Sequence, residues 1–373
     1  MKLVVVQPLL PHYSIAFFNR IVELHQDIEL VVLADIETRE SLNQYHPQDC
    51  RFGVRHLPSV QRKGFIFRPG LLRQLRQEQA DVVVFNANPR EVSQLWAMIA
   101  SRLQGRRFTA WGMFHRIGAP RFVSTVFFRL AGRLADRCLT YSRTGASNLI
   151  SLGVPKHKIG IVGTAIDERV PLAERAARTP EELEAFRRDE GLDGKHVVLQ
   201  VVRLSRFKRP ELLVQAAEIL LRQRHDLLFV LIGNGEMRQE LEDMVTGRGL
   251  QHAFRFLGAV YDEAVLSRWY LNASVFVVPT CIGLSAHHAM SYGVPLITDD
   301  SLDSQASEFD IIADGLNAVT YREGDVTSLA EAIDRLTADS TLRTSLSANA
   351  LLTIEASFNI SNKASNFAIL NKF

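Results

Sequence analysis

Three clusters of residues in this chain have the types and spacing to hold an anionic, hydroxyl-rich ligand. The first is Arg203-Leu204-Ser205-Arg206-Phe207-Lys208-Arg209-Pro210, which follows an apolar run and precedes a helical pattern. Arg203 offers a planar guanidinium fork and Lys208 a movable point charge, two complementary ways to hold a phosphate. Pro210 suits a helix start, where free N–H groups add to the preference for an anion. A solvated basic turn is the other reading of these cations. The second cluster, Gly233-Asn234-Gly235, ends the next apolar run. Its paired glycines either admit a ligand close to the backbone or make a tight strand-to-helix turn. The third runs from Thr280 through Gly283, Leu284 and Ser285 to His288. Ser285 is the expected N-cap of a helix, and the loop before it would offer the N–H groups of Gly283 and Leu284 to an anion or a sugar hydroxyl. Neighbouring helix positions diverge by about 100°, so the adjacent His287 and His288 are not expected to share a metal ion.

These clusters need rigid elements behind them, and the hydrophobic pattern supplies them. Short Val/Ile/Leu runs alternate with amphipathic stretches along most of the chain. In the first half the expected strands are Leu3–Gln7, Glu29–Ala34, Val54–Leu57, Asp81–Asn86, Phe108–Gly112, Cys138–Ser142 and Ile159–Val162. In the second they are His196–Val202, Leu227–Ile232, Phe254–Leu257, Ser274–Val278 and Pro295–Thr298. Continuous apolar strands separated by helices mark parallel sheets buried on both faces. Two such sets in series predict an α/β protein of two doubly wound Rossmann-like domains. The expected division is 1–170, a linker at 171–195 containing the charge-dense run Pro180–Glu190, a second domain at 196–357 and a tail at 358–373 that could return to the first domain.

Composition narrows the function classes. The chain has 373 residues, 47% hydrophobic and 23% charged, which excludes a disordered protein and suits two domains. Its 43 Lys and Arg against 41 Asp and Glu leave a formal charge of +2, unlike the concentrated basic excess of a nucleic-acid binder. Three scattered cysteines without CxxC spacing predict neither disulfides nor a cysteine zinc site, and point to a cytoplasmic setting. The start reads as a β-strand rather than a signal peptide, and no apolar run has the length of a membrane span. No GxGxxG dinucleotide fingerprint is present.

In order and spacing the second half resembles the retaining, metal-independent glycosyltransferases of the GT-B fold, family 4. The family's Arg-x4-Lys pair is matched by Arg203 and Lys208, its Gly-(Asp/Asn)-Gly turn by Gly233 to Gly235, and its Phe-x-Gly strand by Phe256 to Gly258. Its element Glu-Gly-x-Gly-Leu-x-x-x-Glu-Ala-Met-Ala-x-Gly-x-Pro is matched at Gly283, Leu284, Ala289, Met290, Gly293 and Pro295. Thr280 and His288 stand where the family has its two glutamates. In the family the second of these binds the nucleotide ribose and the first lies near the donor sugar. The first half is similar over Trp111 to His115, Ala135 to Ser142 and Leu152 to Ile159. His115 matches the family histidine that faces the donor sugar across a cleft, although a lone histidine after a strand can also be structural. His12 and Tyr13, in a turn like that of bacterial surface-polysaccharide transferases, fall on the acceptor side.

The resemblance implies two domains facing across a cleft, with Arg203, Lys208 and His115 catalytic. Gly233, Asn234, Gly235, Thr280, Gly283, Leu284, Ser285 and His288 would bind the donor. It implies a nucleotide-diphosphate sugar as donor substrate, no cofactor and no metal, and a glycan or lipid-linked glycan hydroxyl as acceptor. Lipopolysaccharide or capsule synthesis at the cytoplasmic face of the inner membrane is the corresponding setting. Two segments, Arg62 to Arg68 and Arg121 to Arg133, combine cations with phenylalanines. They predict peripheral contact with anionic lipid, or an ordinary amphipathic helix with Phe127 and Phe128 in the core. An inactive sugar-nucleotide-binding partner, or a nucleotide-sugar epimerase of the same fold, remains as an alternative function.

Overall fold

The computed structural model describes residues 1–37, 45–118 and 122–372. By contacts the chain forms two compact units, Met1–Asp167 with Asn359–Phe373, and Glu168–Phe358.

The first unit carries strands β1 (Lys2–Val6), β2 (Glu29–Ala34), β3 (Gly53–His56), β4 (Val60–Arg62), β5 (Phe65–Phe67), β6 (Val82–Asn86), β7 (Phe108–Gly112), β8 (Arg137–Thr140) and β9 (Ile159–Ile161). Seven of them make a parallel sheet in the order β3-β2-β1-β6-β7-β8-β9. β1, β2 and β6 are buried almost throughout, because helices cover both faces, and this is why they read as unbroken apolar runs. β4 and β5 form a separate antiparallel hairpin, with Val60 opposite Phe67 and Arg62 opposite Phe65. That hairpin, which overlaps the first cation-rich segment, was not among the expected strands. Each arm has three residues, too few for a period to show.

The second unit carries β10 (His196–Val201), β11 (Leu227–Ile232), β12 (Phe254–Gly258), β13 (Ala273–Val277), β14 (Leu296–Asp299) and β15 (Ala318–Tyr321), in the parallel order β12-β11-β10-β13-β14-β15. The short edge strand β15 was also not expected. In each sheet the order reverses beside one central strand, at β1/β6 and at β10/β13. Connections leave such a point on opposite faces, which opens a crevice at the carboxyl ends of the two strands.

One assignment differs from the sequence reading. The stretch read as a linker belongs to the second unit, as helices Arg169–Ala177 and Pro180–Asp189. The second of these starts on a capping box made by Thr179 and Glu182, and its Phe186 ring meets Trp269 edge-on at 5.0 Å. The tail forms helix Ile360–Leu370, capped by the Asn359 side chain. Its buried face, Ile360, Ala364, Phe367 and Ala368, joins a core with Phe17, Phe18 and Trp111 of the first unit. Phe367 lies 4.7 Å from Trp111 and 5.4 Å from Phe17.

Candidate functional site

In the second unit the three clusters gather at the carboxyl ends of β10, β11 and β13. Arg203 is two residues past β10 and exposed to solvent. Lys208 closes the short turn Arg206–Lys208, and Arg209 after it has a left-handed backbone, φ 48°. The Lys208 Nζ donates to the carbonyl oxygen of Cys281, itself left-handed at φ 52°. Non-glycine residues avoid this region, so two strained positions flank one contact between the Lys208 turn and the loop after β13. A Cβ built on Gly283 would sit 3.5 Å from the Lys208 Nζ, so the ammonium lies beside the start of the next helix. Burial pulls the Lys208 amine below the usual lysine range, against the pull of Cys281 and Glu308. A cation held partly dry at a helix start is a strong field for an anion.

The glycines of Gly233-Asn234-Gly235 answer to the protein's own backbone. A Cβ on Gly233, where φ is 141°, would lie 1.9 Å from the Val202 carbonyl oxygen, and one on Gly235 would lie 2.1 Å from that of Leu204. The Leu204 N–H donates to the Asn234 carbonyl at 3.0 Å, and the Met237 N–H to the Leu204 carbonyl at 3.1 Å. This turn therefore clamps the segment carrying Arg203. The Asn234 side chain accepts from Arg238 at 2.7 Å.

The third cluster departs from the expected cap. Helix Leu284–Ser291 has Gly283 at its N-cap with no side-chain hydrogen bond, and Ser285 lies inside its first turn. Extended backbone at Gly283 (φ −136°) brings the chain into the helix two residues earlier than a Ser285 cap would allow. The loop before it is pinned from below, where the Ile282 N–H donates to Gln305 Oε1 at 2.9 Å. The Gln305 amide in turn reaches Thr298 and Asp299. Thr280 is 5% exposed and turns its hydroxyl toward Asp299, whose carboxyl burial pushes up.

His287 and His288 diverge as helix geometry requires. His287 is fully buried, with its ring 6.2 Å from Phe358. His288 is half-buried and pairs through Nε2 with Glu263 Oε1 at 2.6 Å, where the Tyr292 hydroxyl also donates at 2.5 Å. Burial raises the Glu263 carboxyl, but the hydrogen bonds from His288 and Tyr292 outweigh it and hold it below the usual range. With Nε2–H given to Glu263, a neutral His288 keeps Nδ1 as an acceptor. Sequence reading missed Glu263, which stands 25 positions before His288 with no motif linking them.

In the first unit, Met113-Phe114-His115 leaves the end of β7. Phe114 is fully buried at φ 54°, another strained residue at a strand end. The Met113 carbonyl accepts from Thr140 Oγ1 at 3.1 Å and from His115 Nδ1 at 3.1 Å. A carbonyl only accepts, so the proton sits on Nδ1 and Nε2 of neutral His115 is an acceptor. Gly145 packs so closely that a Cβ there would lie 2.2 Å from the Met113 carbonyl. A cavity of about 760 Å³ opens beside His115, lined also by residues that follow β6. The helix His12–Leu24 begins on the expected acceptor-side residues. The side chain of His12 lies outside the described residues, and Tyr13 is exposed.

The cation-rich segments are changed by their packing. Arg68 is 3% exposed and makes a two-pronged ion pair with buried Glu91, at 2.9 and 2.7 Å, so it is not available to lipid. Phe127 and Phe128 belong to the core, as the amphipathic-helix reading has it, and Arg121 lies outside the described residues. No described helix is long and apolar enough to cross a membrane.

Both halves of the chain match known families. Residues 20–170 match "Glycosyltransferase Family 4" and residues 183–352 match "Glycosyl transferases group 1". An uncharacterized glycosyltransferase of Methanocaldococcus jannaschii is 32% identical over 158 residues, 41% of this chain and 39% of the relative. The alpha-D-kanosaminyltransferase of Streptomyces kanamyceticus is 26% identical over 211 residues, 56% of this chain and 52% of the relative. These alignments thus span about half or less of each relative's length. The solved Anabaena Alr3699/HepE in complex with UDP superposes with a TM-score of 0.78 at 17% identity, over 99% of this chain and 98% of that one. The fold is GT-B, and the chain belongs, through both of its units, to the family 4, group 1 glycosyltransferases.

Proposed function

We propose that the chain transfers a sugar from a nucleoside diphosphate donor to a hydroxyl of a glycan or lipid-linked glycan, with retention and without a metal ion. The observation that carries this reading is the Lys208 amine, partly dry and set beside Gly283 at a helix start, with Arg203 at the end of β10. Breaking the bond between the anomeric carbon and the β-phosphate oxygen leaves negative charge on that phosphate. Arg203, Lys208 and the first N–H groups of helix Leu284–Ser291 meet that charge with dipoles and cations already in place. The acceptor hydroxyl bonds to the anomeric carbon on the face the phosphate leaves, and its proton passes to the departing phosphate oxygen. Neither a carboxylate nucleophile nor the two absent family glutamates is needed for that exchange. His115 Nε2 accepts from a sugar hydroxyl, and His288 Nδ1 from a ribose hydroxyl.

The UDP-bound neighbour supports a nucleoside diphosphate as the group recognised. Buried Thr280, with no carboxylate to present, favours a second reading, a sugar-nucleotide-binding partner without turnover. Calorimetric titration with nucleoside diphosphates, followed by assay of their release from nucleotide sugars, separates the two. Binding with release supports the transferase, binding alone supports the partner, and no binding to either rejects both.

A further inference from the structure

The cavity in the first unit joins two chemistries on one wall. Met113, Phe114 and Phe128 supply apolar surface, while Arg90 and Arg116 supply charge, and no carboxylate lines it among the described residues. Both arginines are exposed, and neither forms an ion pair among the described residues. From this cavity an apolar surface continues outward along helix Phe122–Leu134. Phe127, Phe128, Ala131 and Gly132 already bury the inner face of that helix. Yet its outer face shows Phe122 (83% exposed), Val126 (47%) and Leu130 (36%), at i, i+4 and i+8. Val123 adds to this stripe, Arg129 and Arg133 flank it, and the helix contains no acidic residue. A surface helix ordinarily turns polar residues outward, and contiguous exposed apolar area marks a binding surface. A volume of about 760 Å³ is within the range of small-ligand sites.

We propose that this cavity binds a lipid phosphate, an amphiphile with an anionic phosphate head and an aliphatic chain. The head lies between Arg90 and Arg116, and the chain runs out over Phe122, Val123 and Val126. The charge on the wall selects the occupant. A neutral glycan has no use for two unpaired arginines, and a free anion has none for the apolar stripe. His115 stands on the same wall, so a lipid-borne acceptor would be held by its carrier next to a residue of the proposed reaction. That placement as an acceptor rests on the transferase reading; the binding itself does not.

The test uses the full chain and calorimetry with farnesyl phosphate below its micelle concentration, beside inorganic phosphate and farnesol. Farnesyl phosphate is expected to bind at least tenfold more tightly than either. Phe122→Ser and the pair Arg90→Gln/Arg116→Gln are each expected to weaken it by about tenfold or more, from lost apolar burial and lost charge respectively. Leu103→Ser, exposed and outside the cavity lining, is expected to leave it unchanged. Equal affinity for inorganic phosphate, equal affinity for farnesol, no binding of farnesyl phosphate, or unchanged binding in both cavity variants overturns the proposal. Nucleoside diphosphate binding, titrated in the same variants, is expected to persist. Its absence from the wild-type chain would count against the transferase reading, whatever the lipid result.

Discussion

Replacing Lys208 by Met isolates the charge from the packing. Methionine nearly fills the volume of the lysine stem, so the space beside Gly283 stays occupied. Two structural effects then oppose each other. The Cys281 carbonyl loses a charged donor, a bond of about 1.5–3 kcal/mol, and the cost of holding an ammonium partly out of water disappears. The net change in stability is expected within about 1.5 kcal/mol. For a unit the size of Glu168–Phe358, that is a shift of less than about 6 °C in Tm. The reaction has no such compensation, because charge on the leaving phosphate grows only as the glycosidic bond breaks. Losing one preorganised stabilising group costs about 10²–10³ in rate. The assay is nucleoside diphosphate release at saturating donor, with melting followed by calorimetry. Turnover within threefold of wild type in a folded Lys208→Met protein would refute the electrostatic role. A Tm loss above about 10 °C would show instead that Lys208 holds the Cys281 loop together.

Arg203→Ala, at an exposed position, should leave Tm within about 1 °C and cut turnover by about 10²–10³; near-normal turnover removes Arg203 from the site. Gly233→Ala forces a Cβ against the Val202 carbonyl, so a stability loss of about 1–3 kcal/mol should appear in urea unfolding, and an unchanged midpoint contradicts the clamp. Glu263 has a folded pKa below its unfolded one, so its contribution is complete above the unfolded value, near 4.5, and is lost as pH falls through the folded value. Glu263→Gln should therefore be less stable than wild type at pH 7, with the difference shrinking in that acid window; a constant difference rejects the ion pair. Co-sedimentation with anionic vesicles should exceed that with neutral ones at low salt and fall in high salt; equal recovery with both rejects membrane contact through Arg129 and Arg133.

The parallel strands were legible because burial on both faces leaves an unmistakable apolar run, as in Leu227–Ile232. β4, β5 and β15 were not, since three or four residues on an edge carry no such signal. Arg203, Lys208 and the Gly-Asn-Gly turn could be singled out as candidates because each lies in one connection just after an apolar strand and matches the family's pattern. What the glycines do was not readable, because the atoms they make room for belong to Val202 and Leu204, some thirty residues earlier. The pairing of His288 with Glu263 and of Arg68 with Glu91 likewise depends on helices and strands meeting in space. Gly283 displaced Ser285 as the helix cap for a local reason, the extended backbone after the strained Cys281, and residue type alone does not show it. The lipid-facing reading of Phe127 and Phe128 gave way to the core. Phe122 and Val126, on the opposite side of the same helix, are the exposed ones.

The measurement that bears most directly on the account is mass spectrometry of an acceptor panel, lipid-linked and free glycans, after incubation with nucleotide sugars in the presence of a chelator. The account predicts one added glycosyl unit on an acceptor, with an equal amount of nucleoside diphosphate released. Both should disappear together in Arg203→Ala and Lys208→Met. Product that forms at the wild-type rate in both folded variants, or that requires a divalent metal, would contradict it.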